Sequence, residues 1–216
     1  MEAKRVPLHR RMRRERHRKI ARLQDIVVEA LYRIFPRGVL HGGTAIWRCY
    51  SGNRFSEDVD AYVEKDAEKI NGFFEELKKV GFEIVKKRVT KNSIYSVLSF
   101  DGTEVGFEAL FRRVEGIVKE YETYEGILFT VFTLAPEEMI NEKIDAYLNR
   151  RKIRDLYDVF FLLRYARDAE KLKPGLERLL RNFREPVDEG ELKAIILFGA
   201  VPAKGDILEY LKRWVK

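Results

Sequence analysis

The chain has 216 residues, of which 45% are hydrophobic and 36% charged, enough apolar material for a substantial buried core. Its one cysteine, Cys49, excludes an intramolecular disulfide and favours a reducing compartment. No apolar run approaches the roughly 18 residues of a membrane span, and no signal-peptide pattern opens the chain. We therefore expect a soluble, cytoplasmic protein with no membrane partner.

The net charge of +7 is concentrated at the N-terminus, where residues 1–23 contain ten Lys and Arg against two Glu. A segment of this density can neutralise several nucleic-acid phosphates, so we predict a basic N-terminal arm that contacts nucleic acid. The alternative is a solvated arm that only aids solubility. The residues predicted to make the contacts are Arg10, Arg11, Arg13, Arg14 and Arg18.

Apolar periodicity in the first part of the chain predicts a helix over about 16–34, a strand at 39–40, a helix at 45–50, a strand at 59–63 and a helix at 66–80. Strands follow at 82–88, 93–100, 104–111, 117–124 and 128–132, with a hairpin turn at Asp101-Gly102. Helices fill the chain after Pro136. The pattern predicts an α+β fold in which a basic arm (1–23) precedes a mixed-sheet core (24–134) and a helical C-terminal region (135–216).

A Gly-Gly turn and two closely spaced carboxylates form the most informative stretch. Asp58 and Asp60 would lie on one face of a strand, because residues i and i+2 share a face. Such a pair repels unless a cation lies between its members, and Mg²⁺ suits it because Mg²⁺ takes oxygen ligands and shares positions with substrate phosphates. The turn at Gly42, Gly43 and Thr44 can offer N–H groups to those phosphates.

A lysine falls within the apolar stripe of the helix that follows Pro136. Lys143 lies four residues after Met139, and a buried lysine is costly unless it meets a counter-charge or a phosphate. The alternative is an edge lysine whose ammonium group reaches solvent. Asp155 and Asp158 lie one turn apart on the next predicted helix.

Two blocks of the sequence resemble the AbiEii/AbiGii toxin family, which belongs to the minimal nucleotidyltransferases of the DNA polymerase β superfamily. The first block consists of Gly42, Gly43, Thr44, Ala45, Arg54, Ser56, Asp58 and Asp60. The second, about eighty residues further on, is Lys143 followed by Arg151-Lys-Ile-Arg-Asp-Leu-Tyr-Asp158.

The resemblance implies a polymerase β-like fold that transfers a nucleoside monophosphate from an NTP to an acceptor hydroxyl and releases pyrophosphate. It implies Mg²⁺ at Asp58 and Asp60 and a third carboxylate on a neighbouring strand. Glu108 is the candidate, because alternation along residues 104–111 places it opposite the apolar face. A solvent-facing glutamate with no metal role is the alternative.

The resemblance also implies roles for the polar residues of both blocks. The nucleotide would be bound by Gly42, Gly43, Thr44, Arg54, Ser56 and Asp158. Lys143 would balance charge on the triphosphate, Asp155 would orient Lys143 or act as a base, and Asp158 would pair with Arg151 or Arg154.

Relatives act as toxins paired with a separate antitoxin, and some attach nucleotides to the 3′ end of tRNA. The resemblance therefore implies an RNA acceptor and a cognate antitoxin as partners. Three alternatives remain from the sequence: transfer to a protein or a small molecule, an RNA-binding module without turnover, and a purely structural role.

Overall fold

The computed structural model describes residues 6–216, so Lys4 and Arg5 of the predicted basic arm lie outside the described residues. The chain divides into two compact units, and the first takes in the described residues up to Ser51 together with Phe55–Leu134. Its elements are α1 (Leu8–Arg11), α2 (Glu15–Ile34), β1 (Val39–His41), α3 (Gly42–Cys49), β2 (Val59–Val63), α4 (Ala67–Lys79), β3 (Glu83–Val89), β4 (Ser93–Phe100), β5 (Thr103–Phe111), β6 (Ile117–Glu122) and β7 (Leu128–Thr133).

The strands of the described residues form one seven-stranded sheet in the order β3-β4-β5-β2-β1-β7-β6. In the middle of the sheet, β1 and β2 pair in antiparallel orientation. On either side of them, β2 pairs with β5 and β1 pairs with β7 in parallel orientation. Helices α2, α3 and α4 pack against this sheet and bury residues such as Val27, Trp47 and Phe73. The predicted mixed sheet with flanking helices is confirmed.

The hairpin between β4 and β5 follows directly from its sequence. Asp101 and Gly102 both have positive φ angles, +48° and +68°, as a two-residue type I′ turn requires. Beyond the turn, Val105 and Phe107 are buried while Glu104 and Glu108 are exposed, so the alternation predicted for β5 is confirmed.

The N-terminal segment is packed onto the first unit. Leu8 and Met12 are each only 1% exposed, and the guanidinium of Arg18 donates a hydrogen bond to the Met12 carbonyl at 3.0 Å. Apolar side chains of α1 and α2 therefore fix residues 8–34 to the core. The described part of the predicted arm is folded structure, not a solvated extension.

The second unit consists of residues 52–54 and 135–216. Its helices are α5 (Pro136–Arg150), α6 (Ile153–Leu162), α7 (Ala169–Arg181), α8 (Leu192–Ile195) and α9 (Lys204–Arg213), with short 3₁₀ turns at Leu163–Tyr165 and Glu189–Glu191. Helix α5 packs on α6 and α7 through a stripe that includes Ile140, Ile144 and Tyr147. The predicted helical C-terminal part is confirmed, and none of the helices in residues 6–216 has the length and apolar character needed to cross a membrane.

Candidate active site

The Gly-Gly turn brings the start of α3 against the Asp60 carboxylate. Gly42 has φ of +69°, and a Cβ built on it would lie closer than 3.0 Å to the carboxylate oxygen Oδ2 of Asp60. A side chain at this position would therefore be strained by its backbone and would also collide with the carboxylate. Position 42 therefore requires glycine, because the Asp60 carboxylate occupies the space that a side chain would need.

The Asp58 carboxylate occupies the space above Gly106 on the neighbouring strand β5. A Cβ on Gly106 would lie closer than 3.0 Å to Oδ1 of Asp58. The Asp58 side chain therefore fills the space beside Glu108 that the absence of a side chain at Gly106 leaves open. Asp58 is exposed and Asp60 is partly exposed, so solvent reaches this acidic pair.

Glu108 lies on the same face of the sheet as the acidic pair, because it is the register partner of Asp60 across β2 and β5. Its side chain is exposed. Within residues 6–216, however, no three side chains drawn from His, Cys, Asp and Glu are gathered into a group that could hold a metal ion. The role of Glu108 as a third metal ligand therefore stays a prediction.

The loop that leads into β2 is held by two buried polar side chains. The hydroxyl of Thr44 donates to the Asp58 carbonyl at 2.5 Å, and the amide of Gln24 donates to the carbonyls of Ser56 and Glu57 at 2.9 and 3.0 Å. Thr44 is 1% exposed and Gln24 is fully buried. Both residues position the carboxylate-bearing strand; contact of Gly43, Thr44 and Ser56 with phosphates stays a prediction.

Sequence reasoning assigned no role to Gln24 or His41. Gln24 is the only glutamine in the chain and lies four residues after Ile20 on the apolar stripe of α2. A polar side chain at such a position indicates a buried group that needs hydrogen-bond partners. His41 directly precedes the Gly-Gly turn, is the register partner of Asp60, and stacks on Tyr62 with ring centroids 4.2 Å apart. No local pattern indicated that His41 would lie on the face of the acidic pair.

The basic residues of the N-terminal segment fall into two groups. Arg10, Arg13 and Arg14 are exposed. Arg11 instead forms an ion pair with the buried carboxylate of Glu122 and is only 15% exposed. Of the predicted nucleic-acid contacts, Arg11 and Arg18 are thus engaged in holding the segment to the core, and only the other three present their charge outward.

A second set of charged residues lies buried within the helical unit. Arg54 forms a two-pronged ion pair with Asp158, with both N–O distances at 2.5 Å, and Lys143 lies 2.9 Å from Asp158 and 3.5 Å from Asp155. Arg150, which is exposed, makes a second two-pronged pair with the buried Asp155 at 2.7 Å. Lys143 is 8% exposed and meets the counter-charges that its buried position requires.

The partners of Asp158 differ from those expected. The sequence suggested Arg151 or Arg154, but Arg154 is exposed on the outer face of α6 while Asp158 is fully buried. Burial alone would raise the pKa of the Asp158 carboxyl, yet the Arg54 and Lys143 charges outweigh it and hold this pKa below its ordinary value. Asp158 is therefore ionised and neutralised by two cations.

Asn53 fixes the 52–54 segment within the helical unit. Its amide donates to the Phe198 carbonyl at 3.0 Å, its carbonyl accepts from the Leu197 N–H at 2.7 Å, and its side-chain oxygen accepts from the Tyr157 hydroxyl. The segment that carries Arg54 is thus anchored by backbone and side-chain bonds as well as by the ion pair with Asp158.

Comparison with solved structures finds the same fold in several proteins of low sequence identity. MenT4, a nucleotidyltransferase toxin from Mycobacterium tuberculosis H37Rv, is 18% identical with a TM-score of 0.65, over 93% of this chain and 82% of that one. JHP933 from Helicobacter pylori is 20% identical with a TM-score of 0.60, over 94% and 90% of the chains. ANT(2″)-Ia, solved with adenylyl-2″-tobramycin, is 13% identical with a TM-score of 0.51, over 77% and 99%.

A comparison with curated protein sequences found no significant match. The family model for the nucleotidyl transferase AbiEii toxin of type IV toxin–antitoxin systems matches residues 29–204, which include the Gly-Gly turn, the acidic pair and the buried charges of the helical unit. The chain therefore belongs to the AbiEii toxin family and is a nucleotidyltransferase.

Proposed function

We propose that the chain uses Mg²⁺ held by Asp58 and Asp60 to transfer a nucleoside monophosphate from an NTP to a hydroxyl of an RNA acceptor, the 3′ end of tRNA. The observation that carries this proposal is the solvent-accessible acidic pair: Asp60 on β2 lies against Gly42 of the Gly-Gly turn, and Asp58, directly before β2, lies against Gly106 of β5. Family membership implies an NTP substrate and a cognate antitoxin.

The acidic pair fits Mg²⁺ by its donor chemistry. Mg²⁺ is commonly bound by only one or two protein carboxylates, and waters and substrate phosphates complete its shell. Asp58 and Asp60 supply two hard oxygen donors that solvent can reach, and the glycines at 42 and 106 leave the carboxylates the space they occupy. A third protein ligand is not needed for such a site.

In the proposed reaction, the acceptor hydroxyl oxygen forms a bond to the α-phosphorus of the NTP, and the bond from that phosphorus to the β-phosphate bridging oxygen breaks. Pyrophosphate carries away the bonding electron pair, and the hydroxyl proton passes to solvent. Bound Mg²⁺ supplies charge neutralisation of the triphosphate and of the developing transition state. Thr44 and Gln24 keep the carboxylate-bearing strand in place through their bonds to residues 56–58.

An RNA acceptor is supported by the cations near the acidic pair. Arg16, on the first turn of α2, forms an ion pair at 3.1 Å with Glu57, the residue directly before Asp58. Arg13 and Arg14 precede that turn and are exposed. Because Glu57 neutralises Arg16, the support comes from the exposed charges of Arg13 and Arg14 in the segment that leads into this turn, and such charge favours a polyanionic acceptor over a cationic small molecule such as an aminoglycoside.

The catalytic roles of Lys143 and Asp155 stay predictions of the same proposal. Lys143 would balance charge on the triphosphate, and Asp155 would orient it. What supports this part is the position of Lys143, whose buried ammonium group is held 2.9 Å from Asp158 and 3.5 Å from Asp155.

The test incubates the protein with Mg²⁺, each α-³²P-labelled NTP in turn, and total tRNA. The Asp58→Asn/Asp60→Asn variant removes the metal ligands at constant size, and Glu104→Gln, an exposed carboxylate on β5, is the matched control. We expect label in tRNA with the wild type and Glu104→Gln but not with the double variant. Label in protein or in a small molecule instead would show that the acceptor is not tRNA. Equal labelling of tRNA by the double variant would refute the role of the acidic pair.

A further inference from the structure

A cavity with arginines at its rim opens at the end of the sheet away from the acidic pair. It has a volume of about 310 Å³ and lies where β1 begins and where β2 and β5 end. Glu64, on its wall, is four residues beyond Asp60, which is about 13 Å along an extended strand. Tyr62, which also lines the cavity, is two residues from Asp60, but neither Asp58 nor Asp60 is among the lining residues.

Three arginines line this cavity, here called the arginine cavity: Arg37, Arg112 and Arg113. All three are exposed, and among the described residues none of them forms an ion pair with a carboxylate. The carboxylate on the same wall, Glu64, is paired with Lys69. The rim therefore carries an excess of positive charge that the protein itself does not neutralise.

The floor of the arginine cavity is apolar. It is formed by Phe35, Val39, Val63 and Val114, with Tyr62 beside them. An adjoining cavity of about 540 Å³ shares Arg37, Val39 and Val114 with it, so space continues along the same edge. Cavities of this size with apolar walls and a few charged groups are typical of small-molecule sites.

We propose that the arginine cavity binds a nucleoside phosphate, either as a free nucleotide or as one residue of an RNA strand. Guanidinium groups bind phosphate oxygens in pairs and also stack on flat rings, so the rim suits both parts of such a ligand. The apolar floor gives the base a surface that an inorganic anion would not use. This site is additional to the one at which the NTP reacts.

The test measures binding of AMP to the full chain by calorimetry in the presence of EDTA, which suppresses metal-dependent binding at the acidic pair. Arg112→Gln/Arg113→Gln removes two rim charges, and Lys86→Gln/Arg88→Gln removes two exposed charges on the edge strand β3 as the matched control. We expect one AMP per chain, a Kd at least tenfold higher for the arginine variant, and an unchanged Kd for the control pair and for Asp58→Asn/Asp60→Asn. Unchanged melting temperatures show that each variant folds.

Three further probes show whether the ligand is a free nucleotide or part of an RNA strand, and whether both its base and its phosphate are needed for binding. Adenosine and inorganic phosphate should each bind at least tenfold more weakly than AMP, and a six-nucleotide oligo(A) RNA shows whether a strand replaces the free nucleotide. Binding of the RNA alone, with the same dependence on Arg112 and Arg113, assigns the site to an RNA strand.

The proposal is overturned if phosphate binds as tightly as AMP, if neither AMP nor RNA depends on the arginines, or if the control pair weakens binding equally. Loss of binding in the Asp58→Asn/Asp60→Asn variant also overturns it. Pyrophosphate release from NTP is measured separately, so failure of the arginine cavity leaves the proposed transferase activity untouched.

Discussion

Substitution of Gly42 by alanine tests whether the turn and the Asp60 carboxylate require each other. The backbone at Gly42 has φ of +69°, which costs an alanine about 1–2 kcal/mol. The new methyl group would also lie within 3.0 Å of the Asp60 carboxylate, and forcing a methyl group into filled space costs about 1–3 kcal/mol. We expect Gly42→Ala to lower the free energy of unfolding by about 2–5 kcal/mol.

Two other glycines separate these two costs. Gly102 has nearly the same φ, +68°, but nothing lies within 4 Å of a Cβ built there, so Gly102→Ala carries the backbone cost of about 1–2 kcal/mol alone. Gly106 lacks the positive φ, but its Cβ would meet the Asp58 carboxylate. Gly106→Ala should therefore displace a carboxylate without turn strain.

The assay combines urea unfolding with Mg²⁺-dependent release of pyrophosphate from NTP. We expect Gly42→Ala and Gly106→Ala to lose at least tenfold in pyrophosphate release even where they remain folded, while Gly102→Ala keeps wild-type activity. If Gly42→Ala is as stable and as active as Gly102→Ala, the Asp60 carboxylate does not need the space beside the turn. Full activity of Gly106→Ala would likewise show that the reaction does not depend on the position of the Asp58 carboxylate.

Further outcomes follow from Asp158, Cys49 and Gln24. Asp158→Asn leaves Arg54 and Lys143 without their shared carboxylate, so the free energy of unfolding should fall by about 3–5 kcal/mol in urea titrations at pH 7. Because the pKa of Asp158 is lowered by folding, its contribution is complete above the unfolded-state pKa of about 3.9 and is lost as pH falls through the folded-state pKa. Urea midpoints between pH 2 and 7 should show this acid loss in the wild type more than in Asp158→Asn, and parallel curves would contradict it. Cys49 is partly exposed, but desolvation by the surrounding protein atoms raises the pKa of its thiol to about 12, so iodoacetamide at pH 8 should label the native protein at least a hundredfold more slowly than the urea-unfolded protein; equal rates would contradict it. Gln24→Ala leaves two loop carbonyls without their donor and should cost about 1–3 kcal/mol and reduce pyrophosphate release, whereas unchanged activity would show that Asp58 is positioned without it.

Local signals predicted the elements of the sheet and the helices well. The hairpin at Asp101-Gly102 and the alternation of β5 follow from turn chemistry and from the period of a strand, both of which act within a few residues. Helix α3 begins at Gly42, three residues earlier than expected, because the glycine with positive φ opens the helix instead of preceding it. The acidic pair and the buried lysine were also visible as local patterns.

Pairing between distant residues was not predictable from one sequence. Arg54 meets Asp158 across 104 residues, and Arg11 meets Glu122 across 111. Nothing in the neighbourhood of either residue specifies its partner, since long-range contacts depend on the packed fold and not on local preference. For the same reason the burial of Leu8 and Met12, which holds the described part of the basic segment to the core, was not visible in the sequence.

Burial distinguishes the two aspartate pairs that the sequence presents as similar. Asp155 and Asp158 are fully buried and joined to Arg54, Lys143 and Arg150. Asp58 and Asp60 are reached by solvent. A hydrated Mg²⁺ ion keeps several waters and must also reach substrate phosphates, so only carboxylates open to solvent can hold it in that way. A buried pair already neutralised by cations contributes to folding, because separating it would leave charges buried without partners. Replacing each pair by asparagines should therefore have different effects. The change at 58 and 60 should abolish pyrophosphate release while the protein stays folded, whereas the change at 155 and 158 should lower the free energy of unfolding of the helical unit.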